Sequence, residues 1–138
     1  MSMARIMAID YGKKRTGIAV TDPLQIIATG LSTVDTKDIF PFLKKYFSAE
    51  PVELVLLGEP ENWDGSATHA TPLVTAFKKE FVKHFPSIPV QGVDERFTSK
   101  MARQSMIESG MKKKQRQIKA NVDIIAATIL LQEYLQSK

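Results

Sequence analysis

The feature that most constrains the fold is a short apolar run in the middle of the chain. Residues Val52 to Gly58, with the sequence VELVLLG, are nearly all apolar over the length of one strand. Such a strand is buried on both faces, as in sheets that carry helices on both sides. The run therefore predicts a central strand of an α/β fold.

Hydrophobic spacing on both sides of this run predicts the remaining elements. The predicted strands are Ala4 to Ile9, Thr16 to Thr21, Ile26 to Thr33, Val52 to Gly58 and Ile88 to Val93, and the predicted helices are Asp38 to Ser48, Ser66 to Phe85, Thr98 to Ser109 and Gln117 to Leu135. Pro41 leaves the start of the first helix open, and Thr71-Pro72 either begins or kinks the second. The resulting order is βββαβαβαα.

That order predicts a mixed five-stranded sheet with helices on both faces. Three strands joined by tight turns form an antiparallel meander, whereas the βαβαβ part needs right-handed crossovers between parallel strands. No repeat or low-complexity linker divides the 138 residues, so residues 1–138 are expected to form one domain.

Composition excludes several classes of protein. The chain has no cysteine, which rules out disulfides, thiolate zinc sites and cysteine nucleophiles. The start, MSMARIMAID, lacks the long apolar stretch of a signal peptide, and the longest apolar runs are too short to span a bilayer. A cytoplasmic protein without a membrane partner is the expectation.

Basic residues are concentrated in one segment of this chain of net charge +4. Between Lys100 and Lys119 the only acid is Glu108, against seven lysines and arginines with these two ends included. Such clustering favours a polyanionic partner. A solvated, charged turn is the alternative explanation, and the cluster alone does not separate the two.

Asp10 is the first candidate for chemistry. It stands at the carboxyl end of the first predicted strand, in AIDYG, and ligands of open α/β sheets bind at that edge. The glycine that follows permits a tight turn. The alternative is that Asp10 only caps this hairpin turn, a common role for aspartate.

Asp123 is the second candidate, because it lies in a helix that is apolar nearly all round, VDIIAATILLQEYL. A helix of this kind is largely buried, and a buried carboxylate needs a cation, a metal or several donors as its partner. An ion pair with a nearby base such as Lys119, four residues earlier, is the alternative.

A third acidic position follows the last predicted strand, in Asp94-Glu95-Arg96. The carboxyl ends of parallel strands share one edge, so these residues could converge with Asp10 and Asp123. Clusters of oxygen ligands suit Mg²⁺ or Mn²⁺ rather than zinc. Asp94 faces the opposite way on an ideal strand, and Glu95 is therefore ranked above it. His69 and His84 lack companions and are expected to be incidental.

Four motifs together resemble the YqgF/RuvX family of the ribonuclease-H-like superfamily. They are AIDYGKKRTGIAVTDP, LLGEPENWDGS, VDERFTS and VDIIAATILLQEYL, in the family's order and spacing. The resemblance implies a sheet of order 3-2-1-4-5 and a nuclease in which Asp10, Glu95 and Asp123 hold Mg²⁺ or Mn²⁺. In ribonuclease-H-like nucleases such carboxylates bind two ions, which serve in-line phosphodiester hydrolysis.

One departure from the family pattern concerns the loop after the fourth strand. Gly58-Glu59-Pro60-Glu61-Asn62 stands where relatives commonly have Gly-Leu-Pro and an apolar residue before the asparagine. Glu59 is either an extra metal ligand or a surface substitution. Trp63, in the same loop, could stack on an unpaired base or cover the core.

Basic residues near the acidic ones are candidates for phosphate contacts, which give salt-dependent affinity but little sequence readout. The predicted nucleic-acid-binding residues are Lys13, Lys14, Arg15, Arg96, Lys112, Lys113, Lys114 and Arg116. RNA is expected more than DNA as the partner, with the chain acting as a monomer or a homodimer.

Four functions fit these patterns to different degrees. The family resemblance implies either processing of the 5′ end of precursor 16S rRNA, which is favoured, or resolution of Holliday junctions. The turn DYGKKRTG also resembles the phosphate loop of actin-like sugar kinases and ATPases, but those need a second domain. The remaining alternative is a nucleic-acid-binding module without catalysis.

Overall fold

The computed structural model describes residues 4–59, 71–94 and 119–137, with the backbone alone at 59, 71, 94, 119–123 and 137. The described strands and helices follow one another along the chain in the predicted order. The strands are β1 (Arg5–Tyr11), β2 (Arg15–Thr21), β3 (Ala28–Asp35), β4 (Val52–Glu59) and β5 (Val90–Asp94), and the helices are α1 (Ile39–Ala49), α2 (Thr71–His84) and α3 (Lys119–Ser137). The predicted helix from Thr98 to Ser109 lies outside the described residues.

The five strands form one mixed sheet in the order β3-β2-β1-β4-β5. The first three strands pair antiparallel, with Asp10 opposite Gly17, and β4 pairs parallel with both β1 and β5. The predicted strand order and the mixed sheet are thus confirmed. Strands β1, β4 and β5 all end at one edge, called here the carboxyl edge.

Apolar residues alternate between the two faces of the sheet. Met7, Ile9 and Leu57 pack with α1 and α2, on what is called here the α1/α2 face. Ile6, Ala8 and Leu56 pack with α3 on the opposite face, called the α3 face. Strand β4 is therefore covered on both sides, as its continuous apolar run predicts.

Strand β3 begins two residues later than the hydrophobic pattern predicts. The Asp22 carboxylate accepts hydrogen bonds from the amides of Ile26 and Ile27, each at 2.8 Å, and of Leu24 at 3.2 Å. Because these amides bind a side chain, the segment forms a loop rather than the start of the ladder. The side chains of Leu24, Ile26 and Ile27 are exposed as a result.

Helix α1 begins at Ile39, after a single 3₁₀ turn over Thr36–Asp38. Pro41 lies within its first turn, where the missing amide hydrogen has no partner inside the helix, so the proline does not interrupt it. Among the described residues, no helix is both long and apolar enough to cross a membrane.

Candidate functional site at the carboxyl edge

Asp10 lies at the carboxyl edge, one residue before the end of β1. It follows Ala8 by two residues and Ile6 by four, and both of those pack beneath α3. Because side chains alternate along a strand, Asp10 belongs to the α3 face of the sheet. The residue is half-buried there.

A tight turn follows directly after β1 and carries two exposed lysines, Lys13 and Lys14. A Cβ atom added at Gly12 would lie 2.4 Å from the carbonyl oxygen of Arg15, so the turn closes too sharply for any side chain at position 12. These two predicted phosphate contacts follow Asp10 in the sequence by three and four residues, and their role in phosphate binding stays a prediction. Arg15 begins β2 opposite Asp35 and is half-buried.

Two threonine hydroxyls hold this turn from the side of α1. Thr36 donates its hydroxyl hydrogen to the Gly12 carbonyl at 2.6 Å and its amide hydrogen to the Lys14 carbonyl at 3.0 Å. The Thr16 and Thr36 hydroxyl oxygens are 2.9 Å apart. The sequence motifs gave no signal for this contact, since 20 residues separate the two threonines and neither is an acid or a base.

The last residue of β1 is supported from the α1/α2 face by a column of rings. Tyr11 stacks on Phe77 with ring centroids 4.4 Å apart, and burial raises the pKa of its phenol. Phe40 contacts Phe77 in turn and stacks on His84 at 4.5 Å. His84 is thus exposed and stacks on a ring of the α1/α2 face, whereas Asp10 belongs to the α3 face.

Helix α3 approaches the site from the other side of the sheet. Its late residues Leu135 and Gln136 line a cavity with Ala28 at the start of β3, whereas Ile124 lies against Gly30, further along that strand. The helix therefore runs with its first turns toward the carboxyl edge. Asp123 is one turn before Ala127, which belongs to the same apolar cluster as Ala8 on the α3 face.

The last residues of β4 and β5 complete the edge. Glu59 is paired with Asp94 in the ladder between these strands. Val93 packs on the α3 face and Val90 on the α1/α2 face, so the register position of Asp94 falls with Val90. The ranking of Asp94 below Glu95 stays a prediction, since residue 95 lies outside the described residues.

The remaining predicted site residues lie outside the described residues, and their roles stay predictions. They are Glu95, Arg96, Lys112, Lys113, Lys114 and Arg116, together with Trp63 and His69. In the ranges 4–59, 71–94 and 119–137, no three His, Cys, Asp or Glu side chains are grouped so as to hold a metal ion. Only Asp10 of the proposed ligands has a described side chain.

The chemistry of the donors at this edge suits a hard cation. Asp10 is a half-buried carboxylate at the sheet edge, and no cysteine exists in the chain to favour a softer metal. The lysines of the neighbouring turn suit phosphate groups. An anionic, phosphate-rich chain could thus be held beside a carboxylate.

Sequence comparisons with a family model and with individual relatives agree on one family. A family model described as RuvX, Holliday junction resolvase, matches residues 4–137. Two bacterial relatives, from Flavobacterium psychrophilum and Christiangramia forsetii, are 55% and 57% identical over 99% and 96% of this chain and 99% and 98% of their own lengths. Both are named, provisionally, as pre-16S rRNA nucleases.

The fold is also similar to that of a solved structure. RuvC from T. thermophilus, solved in complex with a Holliday junction substrate, matches 97% of this chain and 94% of its own with a TM-score of 0.58. The two sequences are 17% identical, so this likeness concerns the fold. It confirms the ribonuclease-H-like architecture that the motifs imply.

Proposed function

Because the chain belongs to the RuvX family, we propose that it is a metal-dependent nuclease that processes the 5′ end of precursor 16S rRNA. The observation that carries the proposal is the position of Asp10. By alternation along β1 it belongs to the α3 face at the carboxyl edge, and the exposed Lys13 and Lys14 follow it in the chain by three and four residues. The names of the relatives favour RNA over DNA.

The acidic residues of the proposed site come from three separated elements. Asp10 belongs to β1, Glu95 follows β5, and Asp123 belongs to the first turns of α3. We assign these three carboxylates to binding two Mg²⁺ or Mn²⁺ ions. Bound there, the ions would supply an activated water and charge stabilisation for the departing oxygen in phosphodiester hydrolysis.

The protein's own contribution is to bind and orient the substrate. Lys13 and Lys14 would neutralise phosphates next to the scissile one, since the tight turn that carries them directly follows the strand that carries Asp10. The basic residues predicted at 96, 112–114 and 116 would extend this contact along the nucleic acid. A role in precursor rRNA processing also includes a cytoplasmic location, where ribosomes assemble.

Resolution of Holliday junctions is the second candidate function. The family model carries that description, and a protein with the same fold has been solved with such a junction. A symmetric cut at a junction requires two active sites related by a twofold axis, and therefore a dimer. The oligomeric state in solution consequently bears on the choice between the two substrates.

One experiment separates these functions from each other and from a non-catalytic module. The purified protein is incubated with the 5′ region of precursor 16S RNA and with a four-way DNA junction, each with EDTA or Mn²⁺. We expect Mn²⁺-dependent cleavage of the RNA. Cleavage of the junction alone would favour the resolvase, and binding in EDTA without any cleavage would favour the module.

A further inference from the structure

We propose that Thr36 is a positioning residue that fixes the turn carrying Lys13 and Lys14 relative to Asp10; this inference rests on the proposed function. Its hydroxyl donates to the carbonyl of Gly12 at 2.6 Å, and its amide donates to the carbonyl of Lys14 at 3.0 Å. One residue thus binds the carbonyl groups on both sides of Lys13. The two hydrogen bonds determine where the backbone of this lysine lies.

The direction of the hydroxyl network follows from the number of hydrogen atoms. A threonine hydroxyl has one hydrogen to donate, and Thr36 uses its hydrogen on Gly12. In the 2.9 Å contact between the two hydroxyls, Thr16 must therefore be the donor and Thr36 the acceptor. The order of donation is Thr16 to Thr36 to Gly12.

Thr16 anchors this network to the sheet. It is fully buried and lies in β2 between Tyr11 of β1 and Val34 of β3. The neighbouring pair in the same ladder is Asp10 with Gly17. The turn is thereby tied to a sheet position one residue from the proposed metal ligand.

The benefit of such a connection is preorganisation. Two flexible lysines on a loose turn would lose conformational freedom on binding phosphate, and the loss would weaken affinity. A displacement of the substrate by about 1 Å at the reacting bond can lower the rate by about 100-fold. A turn held against the sheet beside Asp10 reduces both losses.

The test uses four variants that separate this role from simple stability. Thr36→Val removes the hydrogen bond to Gly12 and leaves the buried Thr16 hydroxyl without an acceptor. Thr16→Val/Thr36→Val removes both hydroxyls, so the buried Thr16 group no longer lacks a partner. Thr36→Ser keeps the hydroxyl, and Thr16→Val alone keeps the bond to Gly12.

Each variant has a distinct expected result. Thr36→Val should lower the midpoint of thermal unfolding and reduce kcat/KM for precursor RNA about tenfold, less than the roughly 100-fold loss of a full 1 Å displacement, because the amide of residue 36 still binds the Lys14 carbonyl. The double variant should recover most of the loss in the midpoint of thermal unfolding, but kcat/KM should stay low. Thr36→Ser should keep both quantities near their wild-type values. Thr16→Val removes the link to the sheet but keeps the bond from Thr36 to Gly12, so it should lose less of kcat/KM than the double variant does.

Amide hydrogen exchange provides a measurement that does not depend on cleavage. Amides of residues 12–15 should exchange faster in the double variant than in Thr16→Val. Equal exchange in the two, or full kcat/KM in the double variant, overturns the positioning role. If the wild-type protein cleaves no substrate, the proposed function fails separately, and the exchange comparison still decides whether Thr36 holds the turn.

Discussion

A methyl group at position 30 would lie only 2.4 Å from Cγ2 of Ile124, so β3 and α3 are in direct contact at Gly30. The same added atom would be 3.3 Å from the Thr128 hydroxyl, one helical turn further along. Ile124 directly follows Asp123 in the helix. The absence of a side chain at position 30 thus determines how closely the backbone of this proposed ligand approaches the sheet.

Gly30→Ala is therefore expected to displace the beginning of α3. Ile124 is β-branched and cannot rotate its Cγ2 away freely, so the helix or the strand must move. We expect a loss of stability of about 1–3 kcal/mol, typical of overpacking, together with lower nuclease activity. Chemical denaturation and initial cleavage rates measure the two effects.

A compensating variant tests the cause of the Gly30→Ala defect. In Gly30→Ala/Ile124→Ala the obstructing methyl group is absent, so activity should recover relative to Gly30→Ala even though some packing is lost. Ile124→Ala alone is the matched reference for that packing loss. Failure of the double variant to recover would contradict a steric origin.

Asp10→Asn should abolish cleavage while leaving folding and nucleic-acid binding largely intact. The substitution keeps the size of the side chain but removes the negative charge that a divalent cation requires. We expect kcat to fall by at least about 100-fold, comparable with the loss of other charge-stabilising groups. Glu80→Gln, on the exposed side of α2, is the control and should remain active. Full activity in Asp10→Asn would remove the two-metal mechanism.

The sheet could be predicted because each signal for it is local. The continuous apolar run of β4 and the short alternating runs around it are confirmed, and so is the strand order that the family motifs imply. The hydrophobic pattern failed at Ile26 and Ile27, where the Asp22 carboxylate competes for the amides of two apolar residues. Hydrophobic spacing alone cannot predict a hydrogen bond from a backbone amide to a side chain.

The proposed site was predictable only in part, for a related physical reason. Acidic residues at strand ends and on an apolar helix stand out in the sequence, and Asp10 indeed lies at the carboxyl edge. The contacts of Thr16 with Thr36, and of Gly30 with Ile124, join segments that only the folded chain brings together. Threonine, glycine and isoleucine are common residue types, so the sequence contains no motif that marks these positions.

Neutralising Lys112, Lys113 and Lys114 together should weaken RNA binding and flatten its dependence on salt. Each lost phosphate contact reduces the slope of log K against log salt by about 0.7–0.9. Lys13→Met/Lys14→Met should reduce the slope by the amount that corresponds to up to about two phosphate contacts. Lys44→Met/Lys45→Met, at exposed positions of α1, is the matched control. A slope unchanged in both test variants, measured by fluorescence anisotropy, would remove these lysines from the interface.

Asp22 should make stability depend on pH in the acidic range. Hydrogen bonds from the amides of Ile27 and Ile26 lower the pKa of its carboxyl group in the folded state. Its stabilising effect is therefore complete above the unfolded pKa of about 3.9 and is lost as the pH falls through the lower folded value. The difference in thermal midpoint between wild type and Asp22→Ala should be largest near neutral pH and shrink below about pH 4. An equal difference at pH 3 and pH 7 would contradict this assignment.

The register of β5 leads to a ranking of the acidic residues at the carboxyl edge. Val93 packs on the α3 face, to which Asp10 also belongs by alternation, and Glu95 comes two residues after Val93. Glu59 comes two residues after Leu57 and Asp94 four residues after Val90, and both Leu57 and Val90 pack on the α1/α2 face. Glu95→Gln should therefore raise the Mn²⁺ concentration for half-maximal cleavage by at least about tenfold, within the range for lost metal-site contacts. Asp94→Asn and Glu59→Gln should change it by less than about threefold, since neither would remove a ligand. Mn²⁺ titrations of cleavage, checked by calorimetric Mn²⁺ binding, measure these shifts. A large shift in Glu59→Gln would instead make Glu59 a ligand and show that the strand end twists its carboxylate toward Asp10.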